Sequence, residues 1–244
     1  MLGRCEYKFM IDRDVYEPLR ADVASLMAPD IYSGGKPYTV SSLYFDDTLH
    51  KLYYQTFDRE PFRRKLRLRV YGNVDGESSS FFEIKSKHLG RSLKRRLKLP
   101  LHENEELYIT GRIPERLNGE DRRLAEDILR FIESEKLVPA SVVSYERLAF
   151  AAEGEERLRV TFDSALRIRT DRLDLRYGSD GESAIPNDKL VVEMKSGANL
   201  PRELAALTWK YRLSNVSFSK YGYTRFVTDG ETAFPEKIYE RQTV

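Results

Sequence analysis

A chain of 244 residues has room for one large domain or two small ones, and 41% hydrophobic residues are enough for a sizeable core. Charged residues make up 33% but nearly cancel, leaving +2, so no global field draws the molecule to nucleic acid or a membrane surface. The absence of an apolar run of about 18 residues excludes a transmembrane helix; with no signal-like start and a single cysteine, a cytoplasmic protein without an internal disulfide or multi-cysteine zinc site is expected.

In chain order, residues 4–10 alternate as a strand, with Arg4, Glu6 and Lys8 on one face and Cys5, Tyr7 and Phe9 on the other. That phase makes Cys5 a packing residue. Asp12 can cap a helix that carries Val15, Leu19, Val23 and Leu26 at helical spacing to about Met27. A Gly-Gly turn at 33–37 leads to a strand over 38–46, then to one or two helical turns bearing Leu52, Tyr53, Tyr54 and Phe57. Strands follow at 65–71, 81–87 and 92–99, separated by a loop at 72–80 and a tight turn near Gly90. A helical interlude fills 103–136, where Leu124, Ile128, Phe131 and Ile132 mark an amphipathic face. Strands resume at 141–150, 158–162, 166–173 and 190–195, with a polar, turn-rich stretch at 178–188. Pro201 opens a last helix through Leu204, Leu207 and Tyr211, and the tail beyond about 228 carries little pattern. Meander-like strands without a strand–helix–strand rhythm predict an antiparallel α+β architecture closing as a barrel.

The alternation also sorts charge. Glu-x-Lys occurs at Glu6 and Lys8, at Glu83 and Lys85, and at Glu193 and Lys195; Arg-x-Arg occurs at Arg67 and Arg69, Arg157 and Arg159, and Arg167 and Arg169. Residues two apart in a strand share a face, so each segment turns charges one way and apolar residues the other. Such faces can be solvated surface, but their number and phase point to a lined cavity. Its cations would be Lys8, Arg67, Arg69, Lys85, Arg147, Arg159, Lys195 and Lys220, with Lys94 and Arg96 after Gly90. Guanidinium forks and compact ammonium groups suit phosphate oxygens, and several are needed to offset the desolvation of a triphosphate. Glu6, Glu83, Glu193 and Asp163 would either neutralise these cations or hold a divalent metal such as Mg²⁺, with Glu193 the first choice. Other motifs are weak. There is no Walker A spacing, His50, His88 and His102 are scattered, and Ser219 beside Lys220 lacks triad partners. The basic run at 94–98 divides between two faces, so no nucleic-acid patch is expected.

These segments, taken in order, resemble the VTC domain of polyphosphate polymerases, within the triphosphate tunnel metalloenzyme (CYTH-like) superfamily. The likeness rests on Glu6-Tyr7-Lys8, Leu66-Arg67-Leu68-Arg69-Val70-Tyr71-Gly72, Phe82-Glu83-Ile84-Lys85, Lys94-Arg95-Arg96, Tyr145-Glu146-Arg147-Leu148-Ala149-Phe150, Arg159-Val160-Thr161-Phe162-Asp163, Val192-Glu193-Met194-Lys195 and Phe218-Ser219-Lys220-Tyr221. It implies a single domain over 1–244, with a core of about 4–225 and a tail at 226–244, folded as an eight-stranded antiparallel β-barrel tunnel with flanking helices.

By matching position the resemblance assigns Lys8, Arg67, Arg69, Lys85, Arg147 and Lys220 to the reacting phosphates. Lys94, Arg96, Tyr145, Arg159, Lys195 and Ser219 would hold the rest of the chain. Glu193 would carry Mn²⁺ or Mg²⁺, with Glu6 and Glu83 as further candidates. One position departs from the eukaryotic pattern, where a Lys stands two residues before the Ser of the last motif; here it is Ser217, one cation fewer. The SPX regulatory domain and membrane segments of eukaryotic members are not expected in this chain. The implied activity transfers the γ-phosphoryl group of ATP to polyphosphate or pyrophosphate. Water as acceptor would make it a tripolyphosphatase or nucleoside triphosphatase, and absence of turnover a polyphosphate-binding module.

Overall fold

Alternating strands must cover their apolar halves, and the helices are placed to do so. The computed structural model describes residues 5–89, 91–152, 155–197 and 199–223. Expectations placed on Arg4, Gly90, the side chain of Arg157 and the tail at 226–244 lie outside the described residues. The chain runs β1 (Cys5–Asp12), α1 (Arg13–Leu26), the short β2 (Ala28–Pro29), β3 (Tyr38–Asp46), α2 (Lys51–Phe57), β4 (Phe62–Tyr71), β5 (Ser79–His88) and β6 (Arg91–Pro100). It continues through α3 (Leu101–Thr110), α4 (Gly119–Glu135), β7 (Val138–Ala152), β8 (Glu155–Arg169), the short β9 (Glu182–Ser183), β10 (Lys189–Ser196) and α5 (Arg202–Lys210).

The long strands form one antiparallel sheet in the order β1-β10-β8-β7-β3-β4-β5-β6, with β2 paired to β7 and β9 to β8. Its outer face is apolar and lies under the helices. Phe9, Ile11, Phe150, Phe162 and Val192 pack with Leu19 and Val23 of α1 and Leu204 and Leu207 of α5. On the other half, Leu66, Leu68, Phe82, Leu97 and Leu99 pack with Leu107 of α3 and Leu124, Ile128 and Phe131 of α4. The polar faces are left to point inward.

The antiparallel α+β architecture is the expected one, but the sheet is not a closed barrel. Among the described residues no backbone pairing joins β1 to β6. The sheet nevertheless curls far enough that Glu6 of β1 and Lys85 of β5 approach to 3.9 Å. Along the free edge of β1, an irregular segment after α5 takes the place of a strand: Phe9 bridges Asn215, the Val216 amide donates to the Lys8 carbonyl, and the Lys8 amide donates to Asn215 Oδ1. The segment then carries Phe218 and Tyr221 into an inward-facing cluster with Tyr44, Tyr53 and Tyr145. Tyr221 stacks on Tyr44 and its hydroxyl donates to Asp46, whose carboxylate also accepts the Leu52 and Tyr53 amides at the start of α2.

Other expectations are also revised. The strands expected at 158–162 and 166–173 are one strand, β8. Its apparent break at Asp163-Ser164-Ala165 is a bulge in the β7 pairing, with Ala165 at φ 48°. The interlude at 103–136 is two helices, because Gly111 ends α3 in the left-handed conformation with its amide on the Leu107 carbonyl. Cys5 is half-buried rather than enclosed.

Candidate functional site

Strand parity sets the lining. Lys65, Arg67 and Arg69 on β4 project opposite to Leu66 and Leu68, Glu83 and Lys85 on β5 opposite to Phe82 and Ile84, and Glu193 and Lys195 on β10 opposite to Val192 and Met194. Cross-strand register then pairs Lys8 with Glu193, Glu6 with Lys195, and Arg67 with Glu83.

One wall is an interlocked set of charges. Glu193 receives Lys220 Nζ at 2.9 Å and Lys195 Nζ at 2.7 Å, with Lys8 Nζ at 3.8 Å. Lys220 also lies 2.6 Å from Asp163, which Arg147 grips through Nε and Nη2 at 2.6 and 2.7 Å. Arg147 and Lys220 both sit over the ring of Tyr145, at 5.1 and 4.7 Å from its centroid, so Tyr145 is a buried platform for them. Burial opposes ionisation of Glu193, yet Lys195, Lys220, Lys8 and Arg147 hold its pKa well below the usual carboxylate range. Glu6 shares Lys8 and Lys195 with it, at 3.4 and 3.8 Å. Burial works against Glu6 as well, and the same lysines with Lys85 bring it to about 2.

The facing wall is built on Glu83. Arg67 reaches it through Nε and Nη2, both at 2.6 Å, and Lys94 at 2.5 Å; Arg67 also donates to the Tyr44 hydroxyl. Burial again opposes ionisation, and Arg67, Arg69 and Lys94 lower the Glu83 pKa to about 2. Arg69 is buried and donates from Nε to Ser42. Desolvation brings Lys85 and Lys94 down to about 8.

The remaining expected residues lie at the margins. Arg159 is drawn to Asp30 at 2.5 Å and to the Tyr38 hydroxyl at 3.2 Å, and its buried Nε has no partner among the described residues. Arg96, on edge strand β6, is exposed and stacks on Phe81 at 4.5 Å. Ser219 accepts from Lys65 at 2.8 Å. Arg169, which shared the Arg-x-Arg pattern, does not join the site. Past the β8 bulge its guanidinium donates to the carbonyls of Arg172, Asp174, Gly178 and Asp180 and organises that loop. Lys65 and Asp30 were missed as site residues. Lys65 had the right signal, two positions before Arg67 in the same phase; Asp30 lies outside any alternating segment and has none.

Among the described residues no cluster of three or more His, Cys, Asp and Glu side chains converges on a point. Mg²⁺ needs fewer, since it binds through one or two carboxylates completed by phosphate oxygens and water. Glu193 and Glu6 fit that requirement, as neighbouring carboxylates that share Lys8 and Lys195. Glu83 is instead bound up with Arg67 and Lys94 on the facing wall.

A family model described as "VTC domain" matches residues 3–227. Vacuolar transporter chaperone complex subunit 4 of Trypanosoma brucei brucei is 27% identical over 243 residues, covering 84% of this chain; the chain spans only 30% of that relative's length. Among solved structures, a candidate adenylate cyclase from Bacillus halodurans superposes with a TM-score of 0.51 at 16% identity, covering 89% of this chain and 94% of its own. A candidate adenylyl cyclase from Hippeastrum, described as having a dominant triphosphatase activity, gives 0.55 at 14% identity, covering 94% and 97%. At such identities the two structures speak for the fold alone.

Proposed function

The chain belongs to the VTC domain family, and we propose that it is a metal-dependent polyphosphate polymerase, converting ATP and polyP(n) to ADP and polyP(n+1). The observation that carries this reading is the inward face itself. Lys8, Arg67, Arg69, Lys85, Arg147, Lys195 and Lys220 line one concavity whose carboxylates neutralise only part of their charge. A chain of phosphates supplies the missing anions along its length.

Catalysis in such a site is largely electrostatic. The ionised end of an acceptor chain is already a nucleophile, so no strong general base is required. Arg67 and Arg69 from one wall, and Arg147 and Lys220 from the other, would disperse charge on the transferring phosphoryl group. Lys8, Lys85, Lys94 and Lys195 would hold neighbouring phosphates, with Arg96, Arg159, Tyr145 and Ser219 further along. Glu193, with Glu6 beside it, would hold Mn²⁺ or Mg²⁺, and when bound that ion supplies a charge clamp on adjacent phosphate oxygens. In the absence of ligand these carboxylates keep the lysines extended into the cavity.

Incubation with ATP and Mn²⁺ should yield long polyphosphate, detected on a gel or by phosphorus NMR; ADP without elongation would refute the polymerase. Arg67→Ala and Lys220→Ala should each lower turnover about a hundredfold, as loss of a preorganised contact to developing charge does. Glu193→Gln should abolish the metal dependence. Its thermal unfolding is measured alongside, because Glu193 also neutralises Lys195 and Lys220. The same cationic face also serves a second reading in which water is the acceptor, since an attacking water needs no further cation. Phosphate released from tripolyphosphate with no chain growth would select it. In either case the domain acts as one unit over 1–244, with its core at about 4–225, in the cytoplasm.

A further inference from the structure

Across β4, β5 and β6 the register sets three lysines side by side: Lys65 opposite Lys85, and Lys85 opposite Lys94. Like charges directly opposite in a sheet destabilise it, so such a row needs an explanation. Lys85 and Lys94 each reach a carboxylate, Glu6 and Glu83. Lys65 has no ion-pair partner among the described residues; its ammonium donates to Ser219 Oγ at 2.8 Å. Ser219 is in turn fixed by the Gly222 amide, which donates to the same oxygen at 3.0 Å. The charged groups that act most strongly on Lys65 are cations: Lys85 from β5, Lys8 from β1, and Arg67 and Arg63 from its own strand.

We propose that Lys65 and Ser219 form a further phosphate subsite, continuous with Lys85 and Lys94, that takes one phosphate group of a polyphosphate-type ligand. The inference rests on the phosphate-binding reading of the cavity and adds a residue to it. An ammonium beside a hydroxyl offers a charge-assisted donor and a neutral donor to the same phosphate oxygens. No carboxylate among the described residues has to be displaced first. Desolvation and the surrounding cations hold the Lys65 pKa well below its ordinary value, and an arriving polyanion reverses the sign of the local field. Ligand binding therefore draws a proton onto Lys65.

Calorimetry with inorganic tripolyphosphate at pH 8, repeated in buffers of different ionisation enthalpy, reads affinity and proton uptake together. Lys65→Met should weaken binding about ten- to a hundredfold, the usual loss for a hydrogen bond to a charged group, and take up fewer protons than the parent chain. Lys65→Arg should retain most of the affinity without the proton uptake that belongs to Lys65, and Ser219→Ala should weaken binding a few-fold. Arg95→Ala, whose side chain points outward to Asp127 of α4, should bind as the parent does. A folded Lys65→Met protein with parental affinity and proton uptake overturns the subsite and leaves the cavity reading standing. Failure of the parent chain to bind tripolyphosphate overturns both.

Discussion

Asp163 shows how a single residue holds this site together. It is buried and serves two cations, Arg147 through both carboxylate oxygens and Lys220 at 2.6 Å. Burial opposes its ionisation, while Arg147 and Lys220 keep its pKa below the ordinary value. Removing one partner of a buried ion pair leaves the other charge uncompensated, which costs about 3–5 kcal/mol. Asp163→Asn should therefore destabilise the ligand-free protein by about that much in denaturant unfolding. Saturating tripolyphosphate should restore a larger share of stability to this variant than to the parent, because it supplies counter-charge to the same two cations. Equal stabilisation of both proteins would place Arg147 and Lys220 outside the ligand's reach. The alternation made the positions of Arg147 and Asp163 readable, but not their partnership. That contact joins β7 to β8 across the sheet, and residues 16 apart carry no periodic signal.

At the scale of elements, the segment around Phe218 to Tyr223 depends on an anchor far from it in sequence. Asp46, at the end of β3, accepts the Leu52 and Tyr53 amides of α2 and the Tyr221 hydroxyl. It is fully buried, so its loss orphans groups on both elements. Asp46→Ala should cost about 1–3 kcal/mol through the unsatisfied donors, and should raise hydrogen exchange in both α2 and the Tyr221 region. Exchange confined to α2 would mean that the segment is held elsewhere. Clean periodicity made β4 around Arg67 legible to within three residues of its start, and made the apolar face of α4 around Ile128 legible though not where that helix begins. The long irregular course of 214–223 was not legible, since its conformation follows from tertiary pairing to β1 and to Asp46 instead of from local spacing. The β8 bulge hid for a similar reason: one extra residue flips the phase, which turns Arg169, part of the Arg-x-Arg pattern, to a loop clamp.

For the whole molecule, pH should move stability and ligand affinity in opposite directions. Lys85 and Lys94 fall from 10.5 to about 8 through desolvation, so the unfolded chain binds more protons than the folded one between those values. Stability without ligand should rise across that window, while tripolyphosphate affinity falls as the same lysines lose charge. At the acid end the carboxylates set the stability trend. Glu6 and Glu83, held at about 2 against 4.5 unfolded, contribute stability above pH 4.5 that is lost progressively as pH falls toward 2. Unfolding and calorimetry on the parent and on Lys85→Met check the alkaline window, where the substitution should flatten both trends. If the two slopes share a sign, these lysines do not meet the ligand.

That β1 and β6 do not pair with each other among the described residues carries a mechanical meaning. In a closed barrel the girth is set by strand number and shear, and a polymer enters only by an end. Here Glu6 of β1 and Lys85 of β5 meet at 3.9 Å through side chains in place of a strand pairing. Salt should weaken such a contact where it would leave a strand pairing intact. The seam is also spanned by the chain itself, since the segment from Asn215 to Tyr221 runs from Phe9 of β1 to Lys65 of β4 and Asp46 of β3.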